Sequence, residues 1–200
     1  LDLVGEEELA ELAEVIASGR LSRYGPDDDS FPAKVRTFEE SVAERAGVAH
    51  ALGVNSGTSG LHLCVICAGI GEGDLALTAP FSFIASANCI LYERGIPVFV
   101  DVDKQTGNLD PVLAAEASSD LLQGGEKARR WLPPSMRDGP IDPGHHGRLK
   151  CLLPVHVFGQ PADMDPLLEI ARTHDLVVIE DACEALGAAY KGRPAGTLSD

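Results

Sequence analysis

The chain has 200 residues, 44% of them hydrophobic, with a formal net charge of −15. That length suits one domain with a real core, and the composition excludes disordered and collagen-like chains. No apolar run reaches the ~20 residues of a membrane helix, the opening LDLVGEEELAELAEVI is acidic where a leader would be basic, and the charge argues against nucleic acid as a main partner. A cytoplasmic protein with neither a membrane nor a nucleic-acid partner is expected.

Residues 6–18 carry apolar side chains at helical spacing, acids in the first turn and Gly19 beyond the end. A charged, turn-rich loop follows. Residues 34–46 resume helical spacing through Val35, Phe38, Val42 and Ala46, closed by Gly47. Residues 1–47 thus read as an N-terminal helical segment with its loop. From residue 48 short apolar runs alternate with helical patterns. Strands are predicted at 48–54, 75–79, 97–103, 149–157 and 176–180, and helices at 61–69, 81–95, 110–117 and 164–174. Apolar strands joined by helical crossovers predict a three-layer α/β/α fold with a mostly parallel sheet. Residues 118–148, rich in Pro and Gly, break the pattern and read as an irregular insertion, with Trp131 as its candidate anchor.

The cysteines, Cys64, Cys67, Cys89, Cys151 and Cys183, are odd in number and lie in apolar segments, which predicts reduced, buried thiols. The CxxC in LHLCVICAG reads as a packed helical pair, in preference to a redox or zinc motif. His145 and His146 lie in a loop-like stretch and read as solvated, with metal binding as the alternative. No metal is expected.

In a parallel sheet, ligands gather beyond the carboxyl ends of the strands. Four segments fall there: NSGTSG, APFSF, VHVFGQPADMD and EDACE. NSGTSG is either an ordinary capped turn or an anion cradle built from the backbone at Gly57 and the hydroxyls of Thr58 and Ser59. It matches neither a P-loop nor GxGxxG. Phe83 is either a core aromatic at a helix start or a flat ring offered to a ligand. Asp181 ends a buried strand, where a carboxylate needs a partner, a capping role or water. Its neighbour Glu180 faces the other way on an alternating strand. A cradle, a flat ring and a strand-end acid together match pyridoxal phosphate. Its phosphate takes helix amides, its ring a stacking partner, and its nitrogen an acid that keeps it protonated.

Four stretches carry a resemblance: VGEEELAELAEVIASGRLSRYG, FEESVAERAGVAHALGVNSGTSGLHL, AGIGEGDLALTAPFSFIASANCILYERGIPVFVDVD and LLPVHVFGQPADMDPLLEIARTHDLVVIEDACEALGAAYKGRPAGTLSD. Together they resemble the N-terminal portion of the DegT/StrS family of PLP-dependent sugar aminotransferases, within fold type I. Nothing is carried over to residues 118–148. The resemblance implies that residues 48–200 are part of the PLP-binding large domain, incomplete at its C-terminus, with the small C-terminal domain absent. It implies that Gly57, Thr58 and Ser59 hold the cofactor phosphate, that Phe83 stacks on the ring and that Asp181 pairs with the pyridinium nitrogen. Glu184, where many members have Gln or His, would lie near the phenolic oxygen. His156 and Gln160 are further candidates, and the arginines and tyrosine of RLSRYG face either solvent or a substrate or partner subunit.

The implied reaction moves an amino group from glutamate or glutamine to a keto sugar, commonly nucleotide-linked. The cofactor passes through its pyridoxamine phosphate form, and members usually act as homodimers. The family's Schiff-base lysine is expected after Asp200, and Lys34, Lys104, Lys127, Lys150 and Lys191 do not occupy its pattern. The 200 residues alone are therefore expected to lack aminotransferase activity. The alternatives are a PLP/PMP-dependent sugar dehydratase of the same family, in which a histidine replaces the lysine, and a non-catalytic split half that binds a partner chain.

Overall fold

A computed structural model describes residues 4–19, 21, 34–138 and 148–199. His145, His146 and the arginines and tyrosine of RLSRYG lie outside them. The chain divides into two units, Leu1–Gly53 and Val54–Asp200.

In the first unit, α1 spans Glu6–Ser18 and α2 spans Lys34–Ala46. Gly19 adopts the left-handed conformation at the end of α1, where a side chain would strain the backbone. Lys34 bridges Glu11 and Glu14 at 2.5 and 2.7 Å, and buried Glu39 accepts the Gly53 amide at 2.8 Å. Residues 48–54, predicted as a strand, form no ladder among the described residues. The apolar pattern is present, but no described strand pairs with it, and extended backbone becomes a strand only through a hydrogen-bonded neighbour.

The second unit is built on four parallel strands, β1 (Leu75–Thr78), β2 (Ile96–Phe99), β3 (Leu149–Leu153) and β4 (Val177–Val178), in the order β2-β1-β3-β4. The helices are α3 (Gly57–Cys67), α4 (Ala85–Tyr92), α5 (Pro111–Gln123), α6 (Glu126–Arg129) and α7 (Met164–His174). Strand alternation sorts them into layers. Ala76, Cys151 and Leu153 pack with Leu61 and Val65 of α3 and Cys89 and Ile90 of α4. Leu75, Leu77 and Leu152 pack on the other face with Ala117 and Leu121 of α5 and Leu167 and Ile170 of α7. The three-layer α/β/α expectation therefore holds. One irregularity keeps the alternation in phase: the β1–β3 register steps from Leu75↔Leu149 to Ala76↔Cys151, which leaves Lys150 as an extra residue. Its ammonium reaches Asp74 at 2.7 Å and the Gly69 carbonyl at 2.8 Å.

The stretch expected to be irregular is largely ordered where it is described. Asp110 caps α5 by accepting the Val112 and Leu113 amides, and the helix continues through the Ser118-Ser119 pair to Gln123 because Ala114, Ala117 and Leu121 keep one face on the core. Beyond it, Leu132 is buried and the Trp131 indole donates to Asp120 at 3.0 Å. That bond, more than the neighbouring Arg130, holds the Asp120 carboxyl below its usual range against the opposing effect of burial.

Only Cys89 and Cys151 are buried as expected; Cys64, Cys67 and Cys183 are exposed. For the CxxC pair the reason is the orientation of α3, which turns Leu61 and Val65 to the core and leaves Leu63 and Ile66 uncovered beside the thiols. Among the described residues no helix is long and apolar enough to cross a membrane, and no group of three or more His, Cys, Asp or Glu could hold a metal ion.

Candidate cofactor site

The parallel ladder runs past β4. The Ile179 amide bonds to the Leu152 carbonyl at 3.0 Å, the Asp181 amide to Pro154 at 2.9 Å and the His156 amide to the Asp181 carbonyl at 3.0 Å. This brings Asp181 to the carboxyl end of the sheet, on the same face as Ile179 and therefore towards α3 and α4. The side chain is buried. Ser86, in the first turn of α4, donates its hydroxyl to Oδ2 at 2.6 Å, and the Cys183 amide meets Oδ1 at 3.3 Å. A carboxylate has about four acceptor positions, and among the described residues no cation pairs with this one. An acid held in that way suits a cationic partner that the polypeptide does not provide.

The N-terminus of α3 lies against the same loop. Ser56 caps it, accepting the Ser59 amide at 3.1 Å, and the Ser59 hydroxyl donates to Asn55 at 2.7 Å. The amides of Gly57 and Thr58 and the Thr58 hydroxyl have no partner among the described residues, and they sit where the helix dipole favours an anion. The capped-turn and cradle readings thus coexist, since Ser56 and Ser59 supply the cap and Gly57 and Thr58 keep free donors. The Cys183 sulfur bridges the two halves of the site. A Cβ built on Gly57 would lie 2.7 Å from it, so any larger residue here would force the sulfur to move. The loss of solvation around that sulfur, with the hydrogen bond to Asp181, pushes the Cys183 thiol up to about 11, which keeps it neutral and poorly nucleophilic near pH 7.

Phe83 is not a core residue. Its side chain is 75% exposed, and its carbonyl lies 3.3 Å from the same Ser86 hydroxyl that holds Asp181. Glu184 accepts the Phe158 amide at 2.7 Å, pinning a residue whose φ of 52° is left-handed. His156 is turned away from the site and fully buried. The Ala162 amide donates to its Nδ1 at 3.1 Å, which leaves Nε2 to donate to Glu180 at 2.9 Å. Gln160 is exposed, and among the described residues its side-chain amide reaches the Pro161 carbonyl at 3.3 Å and no other group. Neither residue joins the group around Asp181.

A profile of the DegT/DnrJ/EryC1/StrS aminotransferase family matches residues 2–123 and 135–200, leaving 124–134 unmatched. The chain belongs to this family. It is 40% identical over 163 residues to the GDP-perosamine synthase of Caulobacter vibrioides, covering 82% of this chain and 37% of that protein. The structure of S. venezuelae DesV in complex with a ketimine intermediate superposes with a TM-score of 0.72 at 34% identity, over 95% of this chain and 42% of that one. DesI in the presence of its TDP-sugar product gives 0.75 at 33%, over 98% and 41%. The chain thus spans about two fifths of the length of these relatives. The sheet and its helices are the fold type I core of the DegT aminotransferases.

Two residues of this DegT-family chain escaped sequence reasoning. Ser86 could have been noticed as a hydroxyl inside the apolar run FIASANCIL. Glu180 was correctly placed on the opposite face from Asp181, but that face is not water. Its side chain is 2% exposed and accepts from His156, Gly196, Leu198 and Ser199. Lys191 occupies a hairpin turn and pairs with Asp165.

The close approach of Gly57 and Cys183 yields a direct test. Gly57→Ala is expected to destabilise the chain by about 1–3 kcal/mol, as overpacking does, and Cys183→Ala in the same chain should recover most of that loss by making room. Thermal melts of the two single variants and the double variant measure the coupling; additive effects would show that the sulfur is not what restricts the site.

Proposed function

We propose that this chain forms the cofactor-binding part of a PLP-dependent sugar aminotransferase, one that moves an amino group from glutamate or glutamine to a nucleotide-linked keto sugar. The observation that carries the proposal is a buried carboxylate, Asp181, with no cationic partner among the described residues, joined through Cys183 to a helix N-terminus whose Gly57 and Thr58 amides are likewise unpartnered among them. In this reading the amides of Gly57 and Thr58 and the Thr58 hydroxyl bind the cofactor phosphate. Ser59 shapes the cradle from behind, since its own hydroxyl is spent on Asn55. Asp181 holds a proton on the pyridine nitrogen, Ser86 fixes the carboxylate in register, and the exposed ring of Phe83 covers one face of the cofactor and keeps water from it. Glu184 retains one carboxylate oxygen for the ring's phenolic side. When bound, the cofactor supplies an electron sink for the carbon that exchanges its amino group.

The nucleotide-linked substrate class is supported by the likeness to a GDP-perosamine synthase and to DesI, which was solved with a TDP-sugar product. A cytoplasmic homodimer is part of the same reading. Lys150 and Lys191 are engaged with Asp74 and Asp165, which fits the assignment of proton transfer at the substrate carbon to a lysine beyond these 200 residues.

Pyridoxamine phosphate is the appropriate probe, because its amine cannot condense with surface lysines. Its fluorescence is expected to report saturable binding to the chain, with pyridoxamine lacking the phosphate bound at least about tenfold more weakly, as loss of charge-assisted hydrogen bonds requires. Absence of saturable binding, or equal binding of the two amines, overturns the reading.

A further inference from the structure

A cavity of about 500 Å³ lies far in sequence from Asp181, between β2 and the ordered part of the insertion. Its floor is Phe99 of β2 and Leu91 of α4, two apolar side chains about half exposed. Strand β2 is the edge of the four-stranded sheet, so no further described strand covers that side. The opposite wall is Trp131 to Arg137. Residues 124–134 fall outside the family profile, so Trp131 to Pro134 of this wall lie outside it, while Ser135 to Arg137 lie within it.

The wall is held in place from behind. The Trp131 indole is fixed on Asp120, Leu132 is sunk in the core and the Arg130 guanidinium stacks 4.5 Å above the Trp131 ring. Arg137 ties the segment together through the Leu132 carbonyl at 2.8 Å and the Arg130 carbonyl at 3.2 Å. The volume and the mainly apolar lining are those of a small-molecule site with a few fixed polar groups. Charge adds the decisive information. In a chain of net charge −15, Arg130 and Arg137 are the charged residues that line this cavity among the described residues. Arg130 is neutralised by Glu116 and Asp120. Arg137 forms no ion pair among the described residues, and two carbonyls do not use all five of its donors.

We infer that this cavity is a second binding site, for an organic monoanion with an apolar body, whose chain or ring lies on Phe99, Leu91 and Trp131 and whose carboxylate or similar group meets Arg137. The site is independent of the cofactor reading and stands or fails separately.

Trp131 is the only tryptophan of the chain, so its emission reports on this cavity alone. Titration with octanoate is expected to change that emission saturably, and 1-octanol, equal in chain length but neutral, to bind about tenfold more weakly. Ser135 lines the cavity and its side chain makes no bond among the described residues, so Ser135→Asp introduces a like charge without dismantling the wall and is expected to weaken octanoate about tenfold while leaving 1-octanol nearly unchanged. Arg137→Gln should weaken octanoate similarly. No saturable change overturns the site. Equal affinity for octanoate and 1-octanol, or for octanoate in the wild type and Ser135→Asp, overturns the anion class even if Arg137→Gln proves too unstable to test.

Discussion

Asp181→Asn is expected to lower the affinity for pyridoxamine phosphate by about tenfold to a hundredfold, while raising the stability of the ligand-free chain by about 1 kcal/mol. The two effects have one cause. Without cofactor, Asp181 is a buried carboxylate held by hydrogen bonds from Ser86 and from the amide and thiol of Cys183, with no cationic partner among the described residues. An amide of the same shape keeps the Ser86 bond to its oxygen and turns its NH₂ towards the Cys183 amide, losing that long 3.3 Å bond, while it removes an uncompensated charge from the interior. With cofactor, that charge is what makes a protonated ring nitrogen favourable, and an amide cannot provide it. Residues kept for function at the expense of stability show this opposition of sign. Titrations and thermal melts of wild type and variant, without ligand, measure both halves. Loss of stability together with loss of affinity would instead identify Asp181 as a structural residue of the sheet end.

The parallel sheet was legible in the sequence because runs such as LALT and LKCLL are local patterns, and a strand buried on both faces leaves few other ways to arrange them. The carboxyl-end convergence of NSGTSG and EDACE followed from that order. What local pattern cannot show is which group meets which across the fold. Ser86 lies 95 positions from Asp181, and its role exists only because α4 packs on the face that Asp181 shares. For Phe83 the core reading was the stronger one on sequence, yet it is largely exposed, since an aromatic at a helix start carries no sign of its exposure. Residues 48–54 show the converse: their pattern suits a strand, yet pairing depends on a partner that their own residues do not encode. The helix α5 was cut short in the reading because Ser118, Ser119 and Asp120 are weak helix formers, whereas burial of Ala117 and Leu121 outweighs that preference.

Glu180→Gln is expected to destabilise the chain by about 3 kcal/mol, as losing charge-assisted hydrogen bonds to a buried carboxylate and leaving their donors unpaired does, and to release the segment that ends the described chain. Each oxygen of the wild-type carboxylate accepts two hydrogen bonds: Oε2 from His156 at 2.9 Å and the Gly196 amide at 2.9 Å, Oε1 from the amides of Leu198 at 2.6 Å and Ser199 at 2.7 Å. A glutamine has one oxygen, so whichever way its amide turns, its NH₂ group faces two donors. Burial alone would raise the carboxyl's pKa, but His156, Gly196, Leu198 and Ser199 together outweigh it and hold the group below its ordinary value of 4.5. The sign of the pH dependence follows. A carboxyl with a depressed folded value contributes its full stabilisation above the ordinary value and loses it as pH falls through the depressed one. The stability difference between wild type and Glu180→Gln should therefore be constant from neutral pH down to about 4.5 and shrink below it. Hydrogen exchange adds a local reading, since the Gly196, Leu198 and Ser199 amides should lose protection in the variant while the β1 and β3 amides keep theirs relative to global stability. A difference that grows on acidification, or unchanged protection at Gly196 to Ser199, would contradict the staple. If the DegT-type lysine follows Asp200 and Asp181 is the cofactor's counterion, as proposed, Glu180 also anchors the backbone that leads to that lysine, so positions 180 and 181 would serve opposite faces of one strand end for a single site.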